Sequence, residues 1–192
     1  MHLIGGTPAL KHEIIWAPWR LGYILGEDET PDQDESLGLS PGGRHDCFLC
    51  RCVPEQGDDR KRLVVYRSEQ TISVLNRYPY NNGHILVAPR SHRGRLDELG
   101  PEQQLGVAAA ITHMVGLLER VLRADGFNVG LNLGRVAGAG LPGHLHWHVV
   151  PRWAGDTNFM PATAAVRIIP QSLEALWELL RAELTKGVVC DE

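Results

Sequence analysis

The sequence predicts an α+β fold: a five-stranded antiparallel sheet packed by a long central helix and a C-terminal helix. Three observations lead to it. Short apolar runs, each bounded by turn residues, read as strands in hairpin pairs. One long segment between the third and fourth runs has apolar residues at intervals of three and four, the period of a helix with one buried face. Residues 143–153 alternate histidine with apolar residues at a period of two, which is a strand with two different faces. At 192 residues the chain is long enough for one domain with a substantial core, and it is read as a single domain over 1–192.

Taken in order, residues 1–13 read as a lead-in. Trp16, Trp19 and Tyr23 cluster around Pro18 and either pin this arm to the domain or meet a partner subunit. Residues 27–46 are acidic, then rich in Gly and Pro, with no period, and read as a mobile surface insertion. Leu63–Tyr66 and Thr71–Leu75 are two strands joined by a polar turn, and Gly83–Pro89 is a third after the turn signal Asn82-Gly83. Pro101 suits the first position of a helix over 101–124, whose predicted buried face is Leu105, Ala108, Ile111, Val115, Leu118 and Leu122, with Asp125-Gly126 as its stop. Phe127–Gly134 is the fourth strand and the histidine-bearing segment the fifth, with Pro151 expected to end its ladder. Pro170 precedes a last helix carrying Leu173, Leu176, Trp177, Leu180 and Leu184 on one side.

Composition bounds the chemistry. A formal charge of −4 gives no general attraction to nucleic acid or to an anionic membrane, and neither is expected as a partner. No apolar run is read as a membrane span, and the first residues lack the basic and apolar regions of a secretory signal, so the expected compartment is the cytoplasm. Three of the four cysteines fall within six residues, Cys47, Cys50 and Cys52, which suggests a metal site rather than a disulfide framework. Two thiolates separated by two residues are half of a tetrahedral zinc site; the other reading is a pair of buried free thiols.

The most informative stretch is Gly143 to Trp153. On a strand, His144, His146 and His148 would share one face, each about 7 Å from the next. Histidine titrates near neutral pH, ligates metals and can attack phosphorus, and three in alternation point to one of those tasks. Just before them, Arg135 to Gly143 carries three glycines, which let backbone N–H groups approach an anion closely; an ordinary flexible loop is the other reading. His84 reads as a local hydrogen-bonding residue and His113 as structural.

His144-Leu145-His146-Trp147-His148-Val149-Val150 resembles the signature of the histidine triad (HIT) superfamily, His-φ-His-φ-His-φ-φ. Further stretches are similar to the branch that contains bacterial diadenosine tetraphosphate phosphorylases: Trp16 to Arg20, Asn76 to His84, Asn128 to Gly134, and Pro151 to Phe159. The resemblance spans roughly residues 14–170, apart from the acidic insertion. It implies the HIT-like fold and a homodimer. It implies His146 as a nucleophile that forms a nucleotidyl-histidine intermediate, and His148 as a donor to phosphate or to the leaving group. It also implies a structural zinc held by Cys47, Cys50, His92 and His144, with Cys52 able to replace Cys50; without zinc, His144 would orient the other histidines. Asn76 is expected at the nucleotide ribose and Leu75 against the base, with Asn132 and the backbone of Ala139, Gly140 and Leu141 around phosphate.

Two readings of different class follow. One is a nucleotidyltransferase or hydrolase acting on (di)nucleoside phosphates, with phosphate, water or another group as the acceptor. The phosphorylase-like form is favoured by Pro151 to Phe159. Many relatives have Ser or Gln near position 140, whereas this chain has Ala139-Gly140 and so lacks one polar contact to phosphate. A uridylyltransferase would have Gln where His148 stands. The other reading is a zinc-stabilised nucleotide-binding module without turnover, which would need neither His146 nor His148.

Overall fold

A computed structural model describes residues 38–40, 42–156 and 169–186. Trp16, Trp19, Tyr23, most of the acidic insertion, and Asn158 and Phe159 lie outside the described residues. Among the described residues two short helices come first, α1 (Phe48–Cys52) and α2 (Asp59–Arg62), neither of which the sequence pattern indicated. Then follow β1 (Val64–Arg67), β2 (Thr71–Leu75), β3 (Ile85–Pro89), α3 (Pro101–Leu122), β4 (Gly126–Leu131), β5 (Trp147–Arg152) and α4 (Leu173–Lys186). The sheet is antiparallel throughout, in the order β1-β2-β3-β5-β4. The α+β class, the five strands and both long helices are as predicted.

Pairing fixes which residues share a face. Ser73, Val87, Trp147 and Leu131 lie in one transverse row, and Val74, Leu86, His148 and Gly130 in the next, pointing the other way. The first row faces the helices, as contacts to either side of it show. Tyr66, the partner of Ser73, meets His113 of α3 edge-on at 4.6 Å, and a Cβ on Gly83 would touch both Pro151 and Leu118. His148 therefore projects from the face opposite α3.

Pro101 occupies the first turn of α3, and the Gly100 N–H donates to Gln103 Oε1 at 3.2 Å. The helix stops at Leu122, earlier than predicted, because Arg123 turns left-handed (φ 52°) and its N–H closes on Glu119 O. Gly126 instead opens β4. The buried face overlaps the predicted one and is rotated from it: Leu118 is buried and Ile111, Val115 and Leu122 pack against the core as expected, Val107, Ala110, Met114 and Leu117 are buried as well, and Leu105 (72%) and Ala108 are exposed. The helix is apolar around most of its circumference, enough to cross a membrane by length and composition, contrary to the sequence reading. Periodicity alone therefore cannot fix its orientation. In the structure its buried face lies on the sheet, where Met114, Leu117 and Leu118 are fully buried, each contributing roughly 1.5–3 kcal/mol. In α4, Leu176 and Leu180 are buried as expected, and Trp177 Nε1 donates to Val64 O at 2.8 Å.

The histidine-bearing strand is shorter than predicted at one end and longer at the other. It begins at Trp147, so His144, Leu145 and His146 lie before the ladder. There Leu145 N–H reaches Arg93 O at 2.6 Å, and the His144 side chain occupies Pro89 O in place of a backbone amide. Pro151 does not end the strand, which runs to Arg152. Arg152 O faces β4, where it accepts from Asp125 N, so the missing N–H of Pro151 points to the other side. On that side β3 has already ended, with Ile85 paired to Val149.

Candidate functional site

The site has two halves, joined by the segment His144–His148. The first is a cluster of sulfur and nitrogen. Cys47 caps α1, and the helical turn puts Cys50 on the same side of it. His92 arrives three residues after β3, and His144 from the segment leading into β5. The ligand atoms of Cys47, Cys50, His92 and His144 all lie within 4.8 Å of one another. Cys47 Sγ is 3.3 Å from His144 Nδ1, and Cys50 Sγ is 3.2 Å from His92 Nδ1. His144 Nε2 lies 2.9 Å from Pro89 O. A carbonyl only accepts, so Nε2 carries the proton and Nδ1 presents its lone pair to the sulfurs. Gly143 lets the His92 ring come close: a Cβ there would lie 3.3 Å from Nε2.

Two thiols in contact cannot ionise independently. A hydrogen bond from Cys47 holds the Cys50 thiol below its ordinary range, while the same contact and burial push Cys47 up. One thiolate forms readily and the second resists until a cation shares the site. Two sulfurs and two imidazole nitrogens converging in this way suit a closed tetrahedral zinc site, as the sequence suggested. Cys52 does not belong to it. Its thiol points to Arg62 O at 3.9 Å, and burial pushes it up to about 12, so it cannot replace Cys50.

The second half is a row of imidazoles joined by hydrogen bonds. His146 Nδ1 lies 2.8 Å from His144 O. The carbonyl must accept, which puts the proton on Nδ1 and leaves the lone pair on Nε2. Burial lowers the pKa of His146, favouring the neutral ring. His148 has the opposite tautomer. Tyr80 N–H donates to His84 Nδ1 at 3.1 Å, so His84 carries its proton on Nε2. That proton points at His148 Nδ1, 2.9 Å away, which therefore accepts, and His148 holds its own proton on Nε2. The rings of His146 and His148 have centroids 5.2 Å apart. Adjacent rings thus differ: Nε2 is a lone pair on one and N–H on the other.

His84 was read from the sequence as a local hydrogen-bonding residue. It bonds locally to Asn76 and Tyr80, and it also sets the tautomer of His148, which is 64 residues away. The stretch Asn76 to His84 carries this residue in the sequence, but nothing in one sequence tells that β3 lies against β5. Asn76 Oδ1 accepts from Tyr78 N, and its Nδ2 lies 3.2 Å from His84 Nδ1, so both polar ends serve the turn and the relay. Leu75 is 2% exposed, within the hydrophobic core, and offers a base no open surface.

The glycine-bearing segment folds into a flap over Asn132. A 3₁₀ turn, Arg135–Ala137, sits between Gly134 and Gly138, both at positive φ (78° and 90°), where glycine is favoured. A Cβ on Gly138 would lie 3.8 Å from Asn132 Nδ2. Ala139 N–H is not available to phosphate, because it closes the flap on Gly134 O at 3.2 Å. Among the described residues no backbone bond uses the N–H of Gly140 or Leu141, so these two can serve an anion. The carbonyl of Leu141 receives His144 N–H.

Residues beyond the triad are tied to structure. Asp156 accepts from Arg152 and from Asn81 Nδ2, and Arg152 also reaches Asn128 Oδ1 at 2.7 Å. This network clamps the end of β5 to β4 and to the turn before β3.

The chain is similar to several known proteins. An AP-4-A phosphorylase of Mycobacterium tuberculosis is 37% identical over 170 residues, covering 88% of this chain and 83% of that protein. Among solved structures, a Zn-bound histidine triad family protein from Mycobacterium smegmatis superposes with a TM-score of 0.60 at 28% identity, covering 76% of this chain and 98% of the other. A hypothetical histidine triad nucleotide-binding protein of Sulfolobus tokodaii superposes with a TM-score of 0.59 at 26% identity, over 76% of this chain and 97% of the other. Residues 58–155, just over half of the chain, match the HIT domain, and with the relative from M. tuberculosis this establishes that the chain belongs to the HIT domain family.

Proposed function

We propose that this protein is a nucleotidyl-transferring enzyme that cleaves a dinucleoside polyphosphate at an α-phosphate, in the manner of a diadenosine tetraphosphate phosphorylase. The observation that carries the reading is the opposed tautomers of His146 and His148 on adjacent rings. In the first step His146 Nε2 attacks the α-phosphorus; the N–P bond forms as the P–O bond to the leaving phosphate breaks. The leaving group departs as an anion, and His148 Nε2–H hydrogen-bonds the charge that develops there. The positive charge left on His146 is shared with His144 O through Nδ1–H. In the second step the acceptor oxygen attacks phosphorus, the N–P bond breaks and neutral His146 returns; an unprotonated phosphate oxygen attacks directly, whereas attacking water releases one proton to solvent. The amides of Gly140 and Leu141, with Asn132, face the non-bridging oxygens.

Cys47, Cys50, His92 and His144 would hold one zinc ion, which would supply a closed structural centre with no place for substrate. The Zn-bound relative supports this reading. The protein's own contribution there is to fix His144, whose carbonyl orients His146.

A second reading, a hydrolase with water as the acceptor, draws on one observation. Ala139 offers neither a polar side chain nor its amide to an incoming anion, and the loss of that contact weakens a phosphate site. Incubation with diadenosine tetraphosphate, with and without inorganic phosphate, separates the readings. ADP formed only with phosphate supports the phosphorylase, AMP and ATP formed without it support the hydrolase, and binding without products supports a binding module.

We also propose a homodimer. β4 is the outer strand of the sheet, and Val129 is 47% and Leu133 49% exposed beside a fully exposed Val136. A monomer by light scattering at micromolar concentration would refute it.

A further inference from the structure

A hydrogen bond to developing charge is effective only when its donor is aimed, because the bond weakens steeply with misalignment. We infer that Tyr80 is a positioning residue for His148, holding it through ring and backbone together. The Tyr80 ring stacks on His148 with centroids 5.7 Å apart and planes at 27°. It stacks on His84 at 4.8 Å and 30°. Its backbone N–H, 3.1 Å from His84 Nδ1, decides which nitrogen of His84 donates to His148. Tyr80 thus sets the plane of the pair and, with Asn76 Nδ2 on the same His84 nitrogen, the direction of its hydrogen bonds.

The turn that carries Tyr80 is itself anchored. Asn81 Nδ2 donates to Pro151 O at 3.1 Å and to Asp156 Oδ2 at 3.0 Å, tying the turn to the end of β5. Gly83 adopts φ 77°, and a Cβ there would lie 2.5 Å from Leu122 Cδ1, so the turn also rests against α3. An aromatic ring on a fixed backbone restrains its stacked partners more firmly than an aliphatic side chain of similar volume.

The inference rests on the nucleotidyl-transfer reading for its kinetic consequences, but not for its structural ones. The test compares Tyr80→Phe and Tyr80→Leu on the p-nitrophenyl and phenyl esters of AMP, with histidine ring-nitrogen spectra of the unliganded proteins. Tyr80→Phe keeps the ring and is expected within twofold of the parent. Tyr80→Leu is expected to lose about tenfold in kcat with KM within twofold. The loss should be larger on the phenyl ester, whose poorer leaving group depends more on the donor. In the spectra, the His84 and His148 signals should stay sharp in Tyr80→Phe and broaden in Tyr80→Leu.

Equal kcat for the two variants, or an equal loss on both esters, would overturn the inference. So would a rise in KM at constant kcat, which would make Tyr80 a substrate contact. If the parent cleaves neither ester, the nucleotidyl-transfer reading fails, and the spectra still decide: unchanged signals in Tyr80→Leu overturn the positioning role. Should Tyr80→Leu not fold, Tyr80→Met is read in the same way.

Discussion

The pairs His92–His144 and His84–His148 have the same spacing, with ring centroids 5.1 Å apart in each, yet their chemistry is opposite. In the first pair both Nδ1 atoms turn towards cysteine sulfur, and His144 Nε2 is occupied by Pro89 O. In the second, nitrogen meets nitrogen, and one ring donates to the other. Proximity of histidines therefore does not define a site. The partner of the second ring nitrogen does, because it decides whether the first presents a lone pair or a proton. His146 stands between the two pairs, held by the backbone of one and adjacent to the ring of the other.

The contrast can be broken at several points. Replacing His146 with Ala should have the largest effect, lowering turnover by more than about 10³-fold while nucleotide binding persists, since it removes the nucleophile itself. Steady-state rates and calorimetric titration with a non-hydrolysable dinucleotide check this; residual activity within tenfold of the parent would remove His146 from that role. His148→Ala should cost less, about 10²–10³-fold, as expected for one donor to developing charge. A loss greater than that of His146→Ala would mean that the two rings have exchanged roles.

On the other side the expected readouts are metal and stability. Elemental analysis should find close to one zinc per chain, and Cys50→Ser should lose it. The melting temperature should then fall by roughly 10 °C, the shift given by about 3–5 kcal/mol in a chain of this size. Activity should decline only as the fold loosens. Less than half an equivalent of zinc in the parent, purified without chelator, would leave the four residues as a hydrogen-bonded cluster. The smallest effect sharpens the comparison most. Gly143→Ala puts a methyl group 3.3 Å from His92 Nε2, and the ring must yield by a few tenths of an ångström. Zinc should dissociate faster from this variant, with kcat within twofold of the parent; equal dissociation rates would show that His92 adapts freely.

The sequence carried the strands, the triad and the Cys47–Cys50 pair because each has a local signature: alternation, fixed spacing, or turn chemistry. The order of elements followed from the same signals. Local signals failed where the answer depends on what lies across the sheet. The buried side of α3 is legible only in part because both sides are apolar: Leu118, Ile111, Val115 and Leu122 pack inward as expected, but the fully buried Met114 and Leu117 lie beside that line. The strand starts later than His144, although alternation continues through the segment before it, because that segment bonds outside the ladder, the His144 side chain to Pro89 O and Leu145 N–H to Arg93 O. Cys52 looked like a spare ligand because spacing does not reveal that it points to Arg62 O. His84 was undervalued for the same reason, since its second partner is 64 residues distant. The glycine-bearing loop is expected from the sequence to offer the backbone of Ala139, Gly140 and Leu141 to phosphate, and the bond from Ala139 N to Gly134 O withdraws one of these amides.

The strand order has a consequence for how the molecule assembles. β5 lies between β3 and β4, so the hairpin it forms with β4 must dock on a strand from the first half of the chain. Each histidine pair straddles that seam: His92 and His84 flank β3, whereas His144 and His148 belong to the β5 side. The contact from Cys47 to His144 closes 97 residues, a long loop whose entropy is lost before any packing offsets it. Any partly folded form in which the seam is open has neither the sulfur–nitrogen cluster nor the imidazole row. Exchange of the amides in the β3–β5 ladder, escape of a bound ion and loss of catalytic competence should therefore be three records of one opening event.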